Sequence, residues 1–248
     1  MDKDVNQFNE KPKEESSKQE DVLKLDTNDK RTLFLLILAF VALAGLVIAG
    51  LLWVSTISEP DSYDRIITAV FEGDETENSY LYNNFVFVRP NPGALWTTTA
   101  AKDAETEYLL TTYYAPRELE NISIDKDAYK TMFNRELVYF SKALSADNFT
   151  DGPAKVTIGA IEVGKIVGTR YGVLNTPTKG AFAYDDGLGS TWASCDNATD
   201  TVAVVEFIAG NETRIVATEN CIQIYASTAE DFVRAGDRLL FQITGIMR

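Results

Sequence analysis

The 248 residues carry 37 Asp and Glu against 23 Lys and Arg, a net charge of −14 at pH 7. Nucleic acid and anionic lipid surfaces are both held by clustered Lys and Arg, so this balance argues against either as a docking partner. Histidine is absent, which removes Ser-His-Asp and Cys-His catalysis, imidazole general bases and every zinc site built on imidazole.

In chain order, residues 1–32 hold seven Lys and Arg and nine Asp and Glu with few large apolar groups. Such a segment buries too little surface to offset its ordering entropy, which predicts a disordered tail. Leu33–Val54 (LFLLILAFVALAGLVIAGLLWV) follows without a charge. A helix of that length rises roughly 33 Å, enough to cross a bilayer core of ~30 Å. Lys30 and Arg31 abut its N-terminal end, whereas Glu59, Asp61 and Asp64 come first beyond the other end. The excess of cations before the span predicts 1–32 in the cytoplasm and 55–248 outside. Trp53 suits the outer aromatic belt. A cleaved signal peptide competes, but its apolar core is shorter and ends at a small-x-small site, which Val54-Ser55-Thr56 does not offer. A buried helix of a soluble protein would show a polar stripe. Gly45 and Ala49 form a small-xxx-small pair that suits helix pairing, although chance explains it in so Ala- and Gly-rich a span.

Residues 55–79 are expected to form a stalk and linker. Glu59-Pro60-Asp61-Ser62 breaks the helix and supplies a new N-cap, and Ile66, Ile67, Val70 and Phe71 recur at helical spacing. The working domain is then 80–248. Leu81–Arg89, Ala94–Ala101 and Glu107–Ala115 are strand candidates rich in Thr and aromatic residues, with a Pro-Asn-Pro-Gly turn at 90–93, and together predict a β-meander. Leu137–Ala143 is a further strand. Lys155–Tyr171 carries Val156, Ala160, Val163, Val167 and Tyr171 on one helical face; Gly159, Gly164 and Gly168 weaken that helix unless they mark close packing of helix on sheet. Thr201–Ile208 and Thr213–Ala217 read as a hairpin, and Cys221–Ala226 as another strand. Ser227-Thr228-Ala229-Glu230 is a capping box opening an amphipathic helix through Phe232, Ala235, Leu239, Leu240 and Ile243. The expected fold is α+β: a single transmembrane helix, then an extracytoplasmic domain of mainly antiparallel sheet with two packed helices.

Cys195 and Cys221 both fall beyond the span, where an even cysteine count suggests a disulfide and two buried thiols are the alternative. Four N-glycosylation sequons, at Asn121, Asn148, Asn197 and Asn211, lie on the same side. Several segments, Asn84-Phe85 with Leu95-Trp96-Thr97, Pro116-Arg117-Glu118-Leu119-Glu120-Asn121-Ile122, Glu219-Asn220-Cys221-Ile222, Asp237-Arg238-Leu239-Leu240 and Gly245-Ile246-Met247, occur in an order that resembles a family of small, uncharacterised, membrane-anchored archaeal proteins. The resemblance covers about residues 80–248. It implies an archaeal cell envelope and a paired cysteine, and transfers no catalytic or binding residue.

Arg117 and Glu118, directly after an aromatic strand end, are the candidate ligand or partner contact, since guanidinium clamps carboxylate and phosphate alike; pairing with a neighbouring acid is the plainer reading. Asp185-Asp186-Gly187, and Asp196 with Asp200, miss the Ca²⁺-loop pattern and read as solvated loop acids. No Gly-x-Ser-x-Gly nucleophile motif occurs beyond the span, and no metal or cofactor is predicted. Asp231, Arg234, Asp237 and Arg238 sit at i, i+3, i+4 and i+7 spacing, which predicts ion pairing along a solvated face or, alternatively, a docking surface. The expectation is a membrane-anchored envelope protein acting in binding or assembly, with an envelope protein or glycan as partner. A His-independent, carboxylate-based hydrolase of envelope glycans is the alternative.

Overall fold

The computed structural model describes residues 35, 38, 40–46, 61–101, 106–171 and 173–248, which divide into a unit up to Pro60 and a compact unit Asp61–Arg248. In the first unit residues 35, 38 and 40–46 are helical, and Leu35, Leu38, Phe40, Val41, Leu43 and Leu46 are 51% to 73% exposed. Most of the Leu33–Val54 segment and the tail 1–32 lie outside the described residues. Among the described residues no helix is long and apolar enough to cross a membrane.

Two asparagines shape the start of the compact unit. Asn83 and Asn84 both adopt positive φ, 46° and 68°, the conformation that a two-residue type I′ hairpin requires and that Asn tolerates. The single strand expected over Leu81–Arg89 is therefore a hairpin, β1 (Ser79–Tyr82) and β2 (Phe85–Val88). With β3 (Trp96–Ala101) and β4 (Glu107–Thr112) it forms the expected antiparallel meander, in the order β1-β2-β3-β4. The preceding helix α1 (Asp61–Phe71) is no free stalk: its Tyr63, Ile66, Ile67 and Val70 pack on Leu81, Val86 and Val88.

The second sheet holds β5 (Ser123–Ile124), β6 (Leu137–Lys142), β7 (Thr178–Phe182), β8 (Val202–Ala209), β9 (Arg214–Ala217) and β10 (Cys221–Ala226), in the order β5-β9-β10-β8-β6-β7. Only β9 and β10 run antiparallel; the other four pairings are parallel. This corrects two expectations, a mainly antiparallel domain and a β8–β9 hairpin. β10 inserts between β8 and β9, and β6 reaches β7 through helix α2 (Gly152–Val167), a crossover long enough for a parallel pair. The signal lay in β8, where Ala203, Val204 and Val205 are buried in succession, as in a strand covered on both faces. β7 escaped detection because TKGAF has neither alternation nor an apolar run.

Helix α3 (Ala229–Ile243) opens on a capping box one residue later than expected: Thr228 Oγ1 accepts from the Asp231 N–H and Asp231 Oδ2 from the Thr228 N–H. Its Phe232 meets Phe207 of β8 at 6.1 Å. Phe241, nine positions and about half a turn further round, meets Phe87 of β2 at 5.5 Å. The two helices thus form a middle layer between the two sheets. They cross closely at Gly159 and Gly236, where a Cβ on Gly159 would stand 2.4 Å from the Phe232 carbonyl oxygen. The expected role of Gly159, Gly164 and Gly168 is close packing of helix on sheet; at Gly159 the close contact is instead with the backbone of another helix.

Candidate partner groove

The middle position of the helices changes the chemistry of their polar side chains. Asp231, Asp237 and Arg238 are only 5%, 0% and 5% exposed, so the stripe expected on a solvated face is buried beneath the end of the first sheet and the segment that follows it. The Tyr114 N–H donates to Asp237 Oδ2 at 2.8 Å, and Arg234 donates to the Glu118 carbonyl at 2.7 Å. On α2, Lys165 donates to both Glu162 carboxylate oxygens at 2.6 Å and to the Thr111 carbonyl at 3.0 Å. Burial first, and the adjacent Glu162 second, push the Asp237 carboxyl well above the ordinary range. Asp237 Oδ1 is buried with no hydrogen-bond partner among the described residues, a setting that favours the uncharged carboxyl.

Arg117 and Glu118 are both engaged within the domain. Arg117 donates to Glu75 at 2.8 Å and lies 4.0 Å over the Tyr80 ring, while Glu118 accepts from the Ala115 N–H at 2.9 Å and closes a 3-10 turn. That is the plainer of the two expected roles. Cys195 and Cys221 form a disulfide with a Cα–Cα distance of 5.3 Å. It pins the loop after β7 to the start of β10, over a small cluster of Ala193, Val204 and Tyr139. Glu206 stands beside it, but the two sulfurs are bonded to each other, leaving one carboxylate and no thiolate for a metal. Replacing both cysteines by serine is expected to cost about 3–4 kcal/mol, because the bond closes a loop with a sequence separation of 26. Urea unfolding measures this; an unchanged midpoint would show that the bond adds no stability.

All four sequon asparagines are exposed. Asn148 ends the 3-10 turn after β6, and Asn211 sits in the β8–β9 turn. Asn121 accepts from Arg234 and Asn197 from the Ser194 N–H. Asp185 and Asp186 shape a turn: their Oδ1 atoms accept from the N–H groups of Gly187 and Leu188 at 2.9 and 2.8 Å.

A groove opens where the second sheet ends. Because α2 is drawn against α3 at the Gly159–Gly236 crossing, it leaves the edge strand β7 partly uncovered. The result is a groove of about 730 Å³ between the outer wall of α2 (Val156, Ala160, Ile161) and a floor of Phe140, Gly180 and Phe182. A Cβ on Gly180 would meet nothing within 4 Å, so the floor is hollow there. Every charged residue lining the groove is a cation, Lys142, Lys165, Arg170 and Lys179, in a chain of net charge −14. Lys142 pairs with Asp147 and Lys165 turns inward to Glu162. Arg170 and Lys179 are exposed and have no ion-pair partner among the described residues. A second cavity of about 570 Å³ lies between α1 and the meander, where Arg89 is already held by Asn78 at 2.9 Å and stacked 4.3 Å over Trp96. Comparison of the chain with protein-family models, with curated proteins and with solved structures finds no match.

Proposed function

We propose that this chain is a single-pass envelope protein with its N-terminus inside, and that its exterior domain works by binding or assembly through the groove over β7. The observation that carries the binding reading is an apolar trough, hollow at Gly180 and bearing two exposed cations, Arg170 and Lys179, that have no ion-pair partner among the described residues, on an acidic chain. The membrane reading is supported by the uncharged run Leu33–Val54, by the cations that precede it, and by the exposure of Leu35, Leu38, Phe40, Val41, Leu43 and Leu46, which call for an apolar solvent. A disulfide and four exposed sequons suit an exterior domain, and the resemblance of segments to membrane-anchored archaeal proteins agrees with that placement. Against the hydrolase reading, Asp237, whose carboxyl is raised by burial, and its neighbour Glu162 are 0% and 1% exposed, out of reach of a saccharide.

Two measurements test the proposal. Protease added to intact cells is expected to remove the domain and spare residues 1–32; full protection of the domain overturns the topology. A photo-crosslinking side chain at Ile161, on the groove wall, is expected to give an adduct in cells, whereas one at exposed Lys126, away from the groove, is not. No adduct at Ile161 overturns the groove as the contact surface.

A further inference from the structure

The chain carries a shape that answers the groove. After Phe182 it leaves β7, and it returns at Thr191–Ala193, where the Phe182 N–H donates to the Thr191 carbonyl at 3.0 Å and the Ala193 N–H to the Phe182 carbonyl at 2.8 Å. Between these anchors, which include Phe182 and Thr191 of the groove lining, residues 184–190 form a loop. At the tip Leu188 is 86% exposed, the most exposed large apolar side chain among the described residues. Its setting is built: Asp185 and Asp186 cap the turn through their carboxylates, and Gly187 and Gly189 take positive φ of 69° and 80°. Neither aspartate has an ion-pair partner among the described residues.

We propose that the occupant of the groove is a second copy of this chain, each copy lodging Leu188 over Gly180 of the other. Knob and hollow belong to one stretch of chain: Gly180 lies in β7, and Leu188 in the loop that leaves β7 after Phe182 and bonds back to it at Thr191–Ala193, so a single surface can carry both halves of a two-fold contact. The charges match as well. Asp185 and Asp186 precede the apolar knob, and the exposed groove cations with no carboxylate partner among the described residues, Lys179 and Arg170 (which lies 5.5 Å over the Tyr171 ring), are their complement. Ile161 at 53% and Trp192 at 51% exposure extend the apolar surface around the two features. The partner closes over a hollow that this domain leaves empty because its own helices are pulled together elsewhere. This inference rests on the groove being the contact surface, and adds only the identity of the occupant.

The test uses the full-length protein in detergent micelles, with its mass read by sedimentation. The wild-type chain is expected to be dimeric. Leu188→Asp, at an exposed tip, and Gly180→Trp, which fills the hollow, are each expected to weaken the dimer at least about tenfold while circular dichroism stays unchanged. A photo-crosslinker at position 188 is expected to join peptides from 153–164 or 178–182 of another copy. A dimer that survives both substitutions, as one made through the Gly45 and Ala49 face would, overturns the inference. A monomeric wild type whose Ile161 crosslinker captures a different molecule also overturns it and leaves the binding reading standing. A monomer that captures nothing overturns both.

Discussion

Lys165→Met is expected to lower the stability of the domain by about 3–5 kcal/mol, because it removes the one cation bonded to a carboxylate with no access to water. Glu162 is 1% exposed, and its two oxygens both accept from Lys165. Methionine keeps the length and packing of the stem, so the loss reports the stranded charge rather than a cavity. The neighbouring Asp237 makes the effect depend on pH with a definite sign. Its folded pKa is raised above the unfolded value of about 3.9, so its contribution is fully present below that value and is lost as pH rises through the folded pKa. Above pH ~4 the domain is therefore expected to lose stability with rising pH, at up to about 1.4 kcal/mol per unit while Asp237 titrates. Glu206, raised by burial, slopes the same way. Asp231 and Glu230 slope the other way: hydrogen bonds lower them despite desolvation, so their contribution is lost only as pH falls into the acid range. Asp237→Asn isolates this effect. The amide oxygen still accepts from the Tyr114 N–H, and the side chain carries no charge at any pH. The variant is expected to unfold later than wild type at pH 8 and to match it near pH 4. Urea midpoints across that range check this, and parallel curves for the two proteins would show that Asp237 does not hold its proton.

One glycine-to-alanine change in α2 is expected to be costly and another, five residues on, to be beneficial. At Gly159 the new methyl would lie 2.4 Å from a backbone oxygen of α3, and neither helix has a flexible side chain there to yield. The helices must part, at about 2–3 kcal/mol. At Gly164 the methyl would meet only the Phe140 ring, at 3.6 Å, and the gain in helix propensity, about 0.5–1 kcal/mol, stands alone. Gly236→Ala, whose Cβ would fall 2.7 Å from the Gly159 oxygen, is expected to resemble Gly159→Ala. Combining the two should cost less than their sum, since helices already parted for one have room for the other. Thermal unfolding of the three single variants and the double variant measures this; a loss at Gly164 equal to that at Gly159 would place the crossing elsewhere. Moving α2 off α3 should also narrow the groove over β7, which links this crossing to the contact surface.

Much was legible along the chain. The apolar run Leu33–Val54, the absence of histidine, the antiparallel meander, the disulfide partners and both packed helices all follow from local composition, periodicity and turn chemistry, which act over a few residues. The type I′ turn was legible too, in Asn83-Asn84, but was passed over because Asn-Asn punctuates a strand less plainly than Asn-Gly. The order of the second sheet was not, because β8 and β9 carry a hairpin's local signals and only competition with β10, a long-range partner, decides against it. The stripe Asp231, Arg234, Asp237 and Arg238 is the clearest case. Helical spacing says which face of α3 is polar; it cannot say what lies on that face. Only the tertiary structure brings the end of the meander down over it, so that Asp231, Asp237 and Arg238, which spacing alone places on a surface, are buried. The same placement pulls α2 away from the edge of the sheet and leaves a groove that no run of residues announces. Local pattern determined the elements and the chemistry this chain lacks, whereas the pairing of distant layers decided which of its polar groups are buried and where its surface is open.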